Sequence, residues 1–300
     1  MAAGAENRET TKEALISLVV PVYNEQEVLA AFFARIEPVV AEIIATTDRV
    51  ARAEVVFVDD GSTDRTAETI LAHRSSVLDL KLVKLSRNFR KDNALAAGLM
   101  HAGGDAVIPM DVDLQDPPEV IGQMVSAWLD GAKVVNAKRA SRVRDSFLKR
   151  TSSRMFYKII NRLSEYPIEP DVGDFRLFDR QVVEILNDMP ERVRFMKGMF
   201  AWVGFAPVTI EYDRDERAEG ESKWTYWKLW NFALDGITGS TTLPIRAWTY
   251  FGFCVAVLAV VSAVFLILRT LIFGIDVPGY ASLMVITLFL GACNLIALGM

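Results

Sequence analysis

The stretch AVIPMDVDLQ, residues 106–115, joins an apolar run to a polar segment that carries two carboxylates and an amide. A short apolar run of this kind is typical of a buried strand. If the strand continues, Asp111, Asp113 and Gln115 lie on one side of the chain, because successive side chains of a strand alternate. Oxygen ligands of this type suit Mg²⁺ or Mn²⁺, which usually also contact substrate phosphates. The alternative is a strand followed by a polar turn, since Asp-Pro-Pro at 116–118 is typical of turns.

Four other short apolar runs predict strands, and helical patterns separate the earlier ones. Together with residues 106–110, the predicted strands are 16–20, 54–58, 80–85 and 134–137. The predicted helices are 26–44, 67–74 and 94–101. Strands that alternate with helices predict an α/β fold, in which a mostly parallel sheet carries helices on both faces. The ligands of such sheets bind at the carboxyl ends of the strands.

Polar sequences follow two further predicted strands at the point where each strand ends. PVYNE, residues 21–25, follows the first strand, and DDGSTD, residues 59–64, follows the second. Each has a structural alternative, because Asn24 suits the N-cap of a helix and Asp60-Gly61-Ser62 suits a plain turn. With residues 111–115, three strand ends place ligand-type side chains at one edge of the sheet. Neither a Gly-x-Gly-x-x-Gly loop nor a Walker-type lysine loop is present, which argues against dinucleotide enzymes and P-loop NTPases.

The C-terminal part of the chain contains two stretches without a charged residue, 247–268 and 277–300. Each exceeds the roughly 20 residues with which a helix crosses a bilayer, so we expect a transmembrane hairpin with spans at about 247–269 and 277–300. A pair of buried core helices is the alternative. The basic residues before the first span place residues 1–246 in the cytoplasm by the positive-inside rule. Because the second span runs to Met300, we expect the natural chain to continue.

The net charge of −5 hides a strongly basic segment between residues 138 and 162. This segment contains nine basic residues and one acid, Asp145. A solvated helix face is the alternative, but beside two membrane spans we expect the basic residues to hold the phosphate of a lipid at the membrane surface. Aromatic stacking platforms and a known binding module are missing, which argues against a nucleic-acid partner. The aromatic residues of 224–232 predict an amphipathic segment at the membrane interface.

The motifs named so far, together with four others, resemble those of family 2 glycosyltransferases of the GT-A fold. Within that family they are similar to the polyprenyl-phosphate glycosyltransferases, which include dolichyl-phosphate mannose synthase and the bacterial bactoprenol glucosyltransferases. The similar stretches are VVPVYNE (19–25), VDDGSTDRT (58–66), SRNFRKDNALAAGL (86–99), DVDLQDPPE (111–119), VGDFRLFDR (172–180), FMKGMFAWVGF (195–205) and RAEGESKW (217–224). NAKRASR (136–142) and WKLWNFALDGIT (227–238) look most like the bactoprenol glucosyltransferases. The resemblance covers nearly the whole chain, including the hairpin.

This resemblance implies an inverting transfer of glucose from UDP-glucose to undecaprenyl phosphate, by a multi-pass protein at the cytoplasmic face of the bacterial inner membrane. The lipid phosphate would attack the anomeric carbon, and it needs little help from a general base because a phosphate monoester is already anionic near neutral pH. GDP-mannose, UDP-N-acetylglucosamine and an aminopentose nucleotide are the alternative donors. The absence of a QxxRW motif argues against a processive synthase. A non-catalytic binding module predicts lost carboxylates, whereas Asp111 and Asp113 are both present.

By the resemblance, the expected site residues fall into four overlapping groups. The expected metal ligands, which would hold Mg²⁺ or Mn²⁺ against the leaving diphosphate, are Asp111, Asp113 and Gln115. The residues expected to bind the donor nucleotide are Pro21, Tyr23, Glu25, Asp59, Asp60, Asp111 and Lys223. Those expected to bind the acceptor phosphate are Arg139, Arg150 and Ser153. Those expected to act in catalysis are Asp113, Asp174 and Arg217, with Asp174 as the candidate base and with Arg217 and Lys223 closing over the diphosphate.

The expected organisation has three parts: a cytoplasmic GT-A domain at 1–222, juxtamembrane amphipathic helices at 223–246 and the transmembrane hairpin at 247–300. The resemblance also implies a homo-oligomer, of which a homotetramer is one form. The chain departs from the family at one loop, where SRNFGKE is usual and Arg90 and Asp92 stand instead. An arginine in place of glycine narrows or recharges the donor loop, so the identity of the donor sugar is left open.

Overall fold

The computed structural model describes residues 13–140, 169, 172–191, 194–212, 243–274 and 279–298 of the 300-residue chain. Within these ranges, seven strands form one sheet, and eight helices accompany or follow it. The strands are β1 (Ala14–Val22), β2 (Val50–Asp59), β3 (Leu78–Lys84), β4 (Ala106–Pro109), β5 (Val134–Arg139), β6 (Val172–Asp179) and β7 (Val208–Tyr212). The helices are α1 (Leu29–Thr46), α2 (Thr66–Ala72), α3 (Lys91–His101), α4 (Val120–Leu129), α5 (Arg180–Asp188), α6 (Met196–Trp202), α7 (Leu243–Phe273) and α8 (Tyr280–Leu298).

The strand order across the sheet is β3-β2-β1-β4-β6-β5-β7. Strands β1 to β4 are parallel to one another, whereas β6 runs antiparallel to both of its neighbours, β4 and β5. The chain order reverses at β1, which pairs with β2 on one side and with β4 on the other. The carboxyl ends of the strands at such a reversal form the crevice in which ligands bind in open α/β sheets. The predicted α/β fold with a mostly parallel sheet is therefore confirmed.

The sheet is covered on both faces because successive side chains of β1 point to opposite sides. Leu18 and Val20 pack with Phe32 of α1 in one hydrophobic cluster. Val19 packs with Leu95 of α3 in a second cluster on the other face. All five side chains are at most 1% exposed, so the sheet has helices on both faces, as the sequence predicts.

Helix α3 approaches the sheet very closely at Gly98. A Cβ atom placed on this residue would lie 2.2 Å from Cγ1 of Val19 and 3.1 Å from Cγ2 of Val58. Any side chain here would push the helix away from the sheet, because protein cores are closely packed. Since α3 begins at Lys91, this contact also fixes the start of the helix relative to the ends of β1 and β2.

Two apolar helices, α7 and α8, follow the sheet and pack against each other. Residues Ala247–Phe273 of α7 are long and apolar enough to cross a membrane, and most of their side chains are exposed. The apolar helical segment of α8, Ser282–Gly291, is shorter. In the part of the chain that the structure describes, one helix therefore meets the requirement for a membrane span. The second span at 277–300 and the three-part division of the chain stay predictions, and most of the segment at 223–246 lies outside the described residues.

Candidate active site

Hydrogen bonds hold together the loops that follow β1 and β2 at the carboxyl edge of the sheet. The backbone amide of Asn24 donates to Oγ of Ser62 at 3.0 Å, and the amide of Thr63 donates to Oδ1 of Asn24 at 2.8 Å. Asn24 has a φ of +54°, a left-handed conformation that asparagine adopts more readily than most residues. Helix α1 begins only at Leu29, so Asn24 is not its N-cap and instead joins the two loops.

Asp59 and Asp60 lie at the end of β2 and are both buried. Oδ1 of Asp59 accepts a hydrogen bond of 2.8 Å from the amide of Ser62, while its buried Oδ2 has no hydrogen-bond partner among the described residues. Asp60 accepts a bond of 2.7 Å from the amide of Phe89. Burial raises the pKa of Asp60 above its usual value, and the amides of Phe89 and Arg90 oppose that rise. Asp60 therefore connects the end of β2 to the loop after β3.

Gly61 brings the same two loops into direct backbone contact. Its φ is +78°, and a Cβ atom added to it would lie 2.7 Å from the carbonyl carbon of Arg87 and 2.8 Å from the amide nitrogen of Asn88. Both the conformation and the contact require a residue without a side chain. The loops after β2 and β3 thus form one packed layer at the carboxyl edge.

Arg90 adopts a backbone conformation that is almost restricted to glycine. It precedes α3 as the N-cap residue, with a φ of +74° and a ψ of 160°. A residue with a Cβ in this region is strained by about 1–3 kcal/mol. The loop therefore has the shape that a glycine, the residue usual in SRNFGKE, would adopt without strain. This strained residue lies directly before Lys91.

The side chain of Lys91 joins two predicted site residues that come from separate strands. Its ammonium lies 2.6 Å from Oδ1 of Asp111, after β4, and 2.8 Å from Oδ2 of Asp174, in β6. Burial lowers the pKa of Lys91, but the charges of Asp111 and Asp174 outweigh this effect and hold that pKa above its usual value. Burial raises the pKa of Asp174, but the charges of Lys91, Lys197 and Arg176 hold it well below its usual range. Lys91 and Asp174 are therefore both charged at neutral pH.

Asp92 and Lys197 extend this charged group. Burial and the charge of Asp174 raise the pKa of Asp92 to about 6, whereas the charges of Lys91 and Lys197 act to lower it. The amide of Met196, the first residue of α6, also donates to Asp92, so the starts of α3 and α6 meet here. We call this group the Lys91 cluster; its members are Lys91, Asp92, Asp111, Asp174, Arg176 and Lys197.

Asp111, Asp113 and Gln115 lie in a turn rather than on an extended strand. Strand β4 ends at Pro109, and Leu114 has a φ of +54°. Asp111 and Asp113 are partly exposed, whereas Gln115 is buried. The amide of Gln115 donates to Oδ1 of Asp113 at 3.2 Å. The expected continuation of the strand through Gln115 is wrong, because the chain turns at this point, and the alternative of a strand followed by a turn is the one observed.

The side chains of this turn nevertheless fit a hard divalent cation that shares its coordination with a substrate. Across the described ranges, no three His, Cys, Asp or Glu side chains are grouped as a metal site. Two carboxylates and an amide are an incomplete ligand set, which is usual for Mg²⁺ held by one or two carboxylates together with substrate phosphates. The carboxylate of Asp111 already contacts one cation, the ammonium of Lys91. Its surroundings therefore suit positive charge.

Arg139 ends β5 close to the turn that follows β4. A terminal nitrogen of its guanidinium lies 3.9 Å from Oδ1 of Asp116, which also accepts a hydrogen bond of 2.5 Å from the hydroxyl of Tyr212 in β7. Burial and the charge of Asp116 raise the pKa of Tyr212 above its usual value, so the hydroxyl keeps its proton.

Four predicted site residues lie outside the described ranges: Arg150, Ser153, Arg217 and Lys223.

The predicted site residues that the structure describes all lie at the carboxyl edge of the sheet. Because β6 is antiparallel to β4, its first residues, including Asp174, lie at the edge where β4 ends. The amide of Glu25 donates to Oγ1 of Thr66 at 2.9 Å, and Tyr23 is 40% exposed on the same loop. The residues that lie at this edge are Pro21, Tyr23, Glu25, Asp59, Asp60, Asp111, Asp113, Gln115, Arg139 and Asp174.

Four members of the Lys91 cluster were not predicted as site residues: Lys91, Asp92, Arg176 and Lys197. A signal for the first two is present, since SRNFRKD at 86–92 is a polar sequence directly after the third predicted strand. This is the same pattern that identified the other strand ends. Arg176 and Lys197 have no such signal, because their closeness to Asp174 depends on how β6 and α6 pack.

Comparison with known proteins places these features in a family. The sequence matches the family model described as "Glycosyl transferase family 2" over residues 17–186. An uncharacterized glycosyltransferase of Synechocystis is 48% identical over 95% of this chain and 87% of its own length. The bactoprenol glucosyl transferase of Shigella phage SfV is 48% identical over 95% of this chain and 91% of its own length. The crystal structure of mannosyl-3-phosphoglycerate synthase from Rubrobacter xylanophilus is similar to this one, with a TM-score of 0.53 and 15% sequence identity. The similarity covers 78% of this chain and 74% of the synthase chain.

The family match contains the loops after β1 to β4 and the whole of β6, which together carry the polar edge described above. The identity to the two glycosyltransferases extends over almost their full length, so it is not confined to the common fold. The crystal structure supports the fold alone. On these grounds the chain belongs to the family 2 glycosyltransferases and has the GT-A fold.

Proposed function

We propose that this glycosyltransferase moves glucose from UDP-glucose to a polyprenyl phosphate such as undecaprenyl phosphate, with inversion at the anomeric carbon. The observation that carries the proposal is the meeting of Asp111 and Asp174 at Lys91, which gathers carboxylates from two strands at the carboxyl edge. The name of the Shigella phage relative supports both the sugar and the acceptor. The apolar helix α7 supports a site close to a membrane, where such a lipid lies.

The donor nucleotide would bind against the loops after β1 and β2. Buried polar atoms in proteins are almost always hydrogen-bonded, and Oδ2 of Asp59 has no partner within the described ranges. This oxygen is therefore suited to a hydroxyl or N–H group of the nucleotide. The exposed ring of Tyr23 is available to pack against the base, with Pro21 at the end of β1 and Glu25 on the same loop as Tyr23. Asp60 would keep the loop after β3 in place beneath the donor.

The leaving diphosphate would be held next to the turn after β4. Asp111, Asp113 and Gln115 would bind Mg²⁺ or Mn²⁺, which when bound neutralises the charge that develops on the diphosphate. Asp111 and Asp113 are partly exposed, so phosphate oxygens can share the coordination with them. Arg217 and Lys223, which we propose to close over the diphosphate, lie outside the described residues.

The acceptor phosphate would be held by Arg139, together with Arg150 and Ser153. A phosphate monoester is anionic near neutral pH and can attack without first losing a proton. Asp174 suits the role of an orienting group better than that of a base, because neighbouring cations hold its pKa well below the usual range. Its buried Oδ1 has no hydrogen-bond partner in the described part of the chain and can accept a bond from a hydroxyl.

The same proposal places the catalytic domain at the cytoplasmic face of the bacterial inner membrane. It is supported by helix α7, by the basic residues before that helix and by the uncharged stretch at 277–300, which we propose as a second span. A homo-oligomer, with a homotetramer as one form, completes the proposal and is supported by the family resemblance alone.

Transfer of labelled sugar from nucleotide to lipid tests the reaction. Detergent-solubilised protein is incubated with radiolabelled UDP-glucose, undecaprenyl phosphate and Mg²⁺, with and without a chelator, and the label is followed into organic solvent. We expect transfer that the chelator abolishes. Transfer from GDP-mannose, UDP-N-acetylglucosamine or an aminopentose nucleotide instead would keep the reaction class and change the sugar. The absence of transfer from every donor would contradict the proposal.

A pair of matched substitutions tests the metal ligands in the same assay. We expect Asp113→Asn to lower transfer by at least about 100-fold, because charge stabilisation of the leaving group is lost. Asp79→Asn is the control, since Asp79 is an exposed carboxylate that pairs with Arg52 near the start of β3, at the opposite edge of the sheet. We expect this variant to keep its activity. Near-normal turnover of the Asp113 variant would show that Asp113 is not a metal ligand.

A further inference from the structure

The ammonium of Lys91 contacts Asp111, which is one of the proposed metal ligands. Nζ of Lys91 lies 2.6 Å from Oδ1 of Asp111 and 2.9 Å from Oδ2 of the same carboxylate. It also lies 2.8 Å from Oδ2 of Asp174. Both oxygens of Asp111 therefore contact an ammonium, which competes in position and in charge with a divalent cation for this carboxylate.

We propose that Lys91 is an internal counter-cation of the unloaded site, which the divalent metal displaces from Asp111 when the donor binds. The inference rests on the proposed function, because it takes Asp111 as a metal ligand. After the displacement, the ammonium keeps its contact with Asp174. Lys91 is thus a positioning residue: it acts through Asp111, which becomes available to the metal when the ammonium leaves it.

The exposure of the three side chains suits such an exchange. The side chain of Lys91 is 45% exposed and that of Asp111 is 36% exposed, so ions can reach this pair from solvent. Asp174 is only 17% exposed, which makes its contact with Lys91 the more protected of the two. The ion pair that opens is therefore the one with Asp111.

The exchange requires a movement of one side chain and not of the helix that carries it. A lysine ammonium is a compact charge on a flexible stem of four carbons, so it can leave one carboxylate without any backbone shift. The backbone of α3 is held by the close contact of Gly98 with Val19. The loop before the helix is held by the bond from Phe89 to Asp60.

The exchange also makes metal binding depend on the donor. A metal ion alone has to displace the ammonium and gains only the ligands of the turn. A metal ion that arrives with a nucleoside diphosphate gains phosphate ligands as well. Lys91 therefore disfavours the binding of metal without donor. It also offsets the repulsion between the carboxylates of Asp111 and Asp174, which lie 2.6 Å and 2.8 Å from its ammonium.

Binding of Mn²⁺, measured without sugar transfer, tests this role. The full chain in detergent is titrated with Mn²⁺ in the absence and in the presence of UDP, and free Mn²⁺ is quantified by electron paramagnetic resonance. In Lys91→Met we expect Mn²⁺ alone to bind about tenfold more tightly, because a competing unit charge near the ligand is gone. With UDP present we expect a smaller gain. Lys91→Gln should behave as Lys91→Met does, and Lys91→Arg should keep the weak binding of the wild type.

Lys197→Met is the matched control, because it removes the same charge from the same cluster and leaves Lys91 on Asp111. An equal gain in both lysine variants would mean that general electrostatics explains the effect, and it would overturn the proposal. Unchanged Mn²⁺ affinity in both Lys91→Met and Lys91→Gln would overturn it as well. If the wild type binds no Mn²⁺ even with UDP, the metal site of the proposed function is itself wrong, and this inference fails with it.

Discussion

The carboxylate of Asp60 accepts a hydrogen bond of 2.7 Å from the backbone amide of Phe89, a residue 29 positions further along the chain. Asp60 belongs to the loop after β2, and Phe89 belongs to the loop after β3. Arg90 and Lys91 follow directly, so this bond helps to set the position of both. A residue proposed to contact the nucleotide is thus also a support for the loop that carries Lys91.

We expect Asp60→Ala to weaken UDP binding by about tenfold or more. Hydrogen bonds to a charged group contribute about 1.5–3 kcal/mol, and the loop before Lys91 loses its support when the carboxylate is removed. Isothermal titration calorimetry with UDP and Mn²⁺ measures the change. Asp79→Ala, at the opposite edge of the sheet, is expected to bind UDP as the wild type does. If Asp60→Ala binds UDP as tightly as the wild type does, then neither a contact of Asp60 with the nucleotide nor its support of the loop before Lys91 is important for donor binding.

Arg90→Gly is expected to stabilise the protein, because glycine adopts the φ of +74° and ψ of 160° without strain. The relief of about 1–3 kcal/mol is partly offset by the greater freedom of glycine in the unfolded chain, which leaves a net gain of about 1 kcal/mol. Thermal unfolding in detergent measures this gain. The control is Arg90→Ala, which removes the same side chain but keeps the Cβ and should give no gain. If both variants were stabilised equally, the arginine side chain and not the backbone would be the source of strain.

Glu54, in a polar network at the amino edge of the sheet, is expected to stabilise the fold. It is 2% exposed, accepts hydrogen bonds of 2.5 Å from Oγ of Ser17 and 2.6 Å from the amide of Gly103, and pairs with Lys81 at 2.6 Å. We expect Glu54→Gln to lower the free energy of unfolding by about 1–3 kcal/mol, because hydrogen bonds to the charged group are lost. The melting temperatures of the wild type and of Glu54→Gln at pH 7 measure this loss of stability.

The effect of Glu54 should depend on pH in a defined direction. Burial raises the pKa of Glu54, but the bonds from Lys81, Ser17 and Gly103 outweigh this effect and lower it below its usual value. The stabilisation is therefore fully present above the unfolded-state pKa of about 4.3 and is lost as the pH falls through the lower folded-state pKa. The gap in melting temperature between wild type and Glu54→Gln should be constant above about pH 5 and shrink below about pH 4. A gap that widens on acidification would contradict this.

Asp92 should show the opposite dependence. Its pKa of about 6 in the folded protein is raised by burial and by Asp174, so ionisation of Asp92 destabilises the fold. The penalty is present above pH 6 and disappears as the pH falls toward the unfolded-state value of about 3.9. We expect Asp92→Asn to melt at a higher temperature than the wild type at pH 7.5, with the difference disappearing near pH 4. Asp79→Asn, measured in parallel, should show no such pH-dependent gain.

The first half of the sheet could be predicted because each of its strands is an apolar run with a helical pattern behind it. The central strands β1 and β2 are buried on both faces, so their sequences are nearly continuous in apolar residues. Strand β6 could not be found in this way, because Asp174 and Arg176 interrupt its apolar pattern. Its place between β4 and β5 and its antiparallel direction arise from long-range packing, which no local pattern encodes.

The same difference explains which site residues were found. Asp59, Asp60 and Asp111 follow apolar strands directly, so the sequence shows them as polar residues at a strand end. Lys91 contacts Asp111, which is 20 positions away, and Asp174 in β6. That contact exists only once α3, β4 and β6 have packed together. The sequence offers a turn here as the alternative, from Asp-Pro-Pro at 116–118, but it does not place the turn at Leu114, since a residue of this type seldom has a φ of +54°.

Among the strands of the described residues, β5 pairs with β6 and β7, both of which come later in the chain. During synthesis, residues Val134–Arg139 therefore leave the ribosome before either neighbour has been made. Strand β6 begins only at Val172, so at about 5–20 residues per second β5 waits for a few seconds. In that interval the edge of β4 is open to pairing with other chains. Asp174 arrives with β6, so the event that joins β4 to β5 in the nascent protein also brings Asp174 to Lys91 and Asp111.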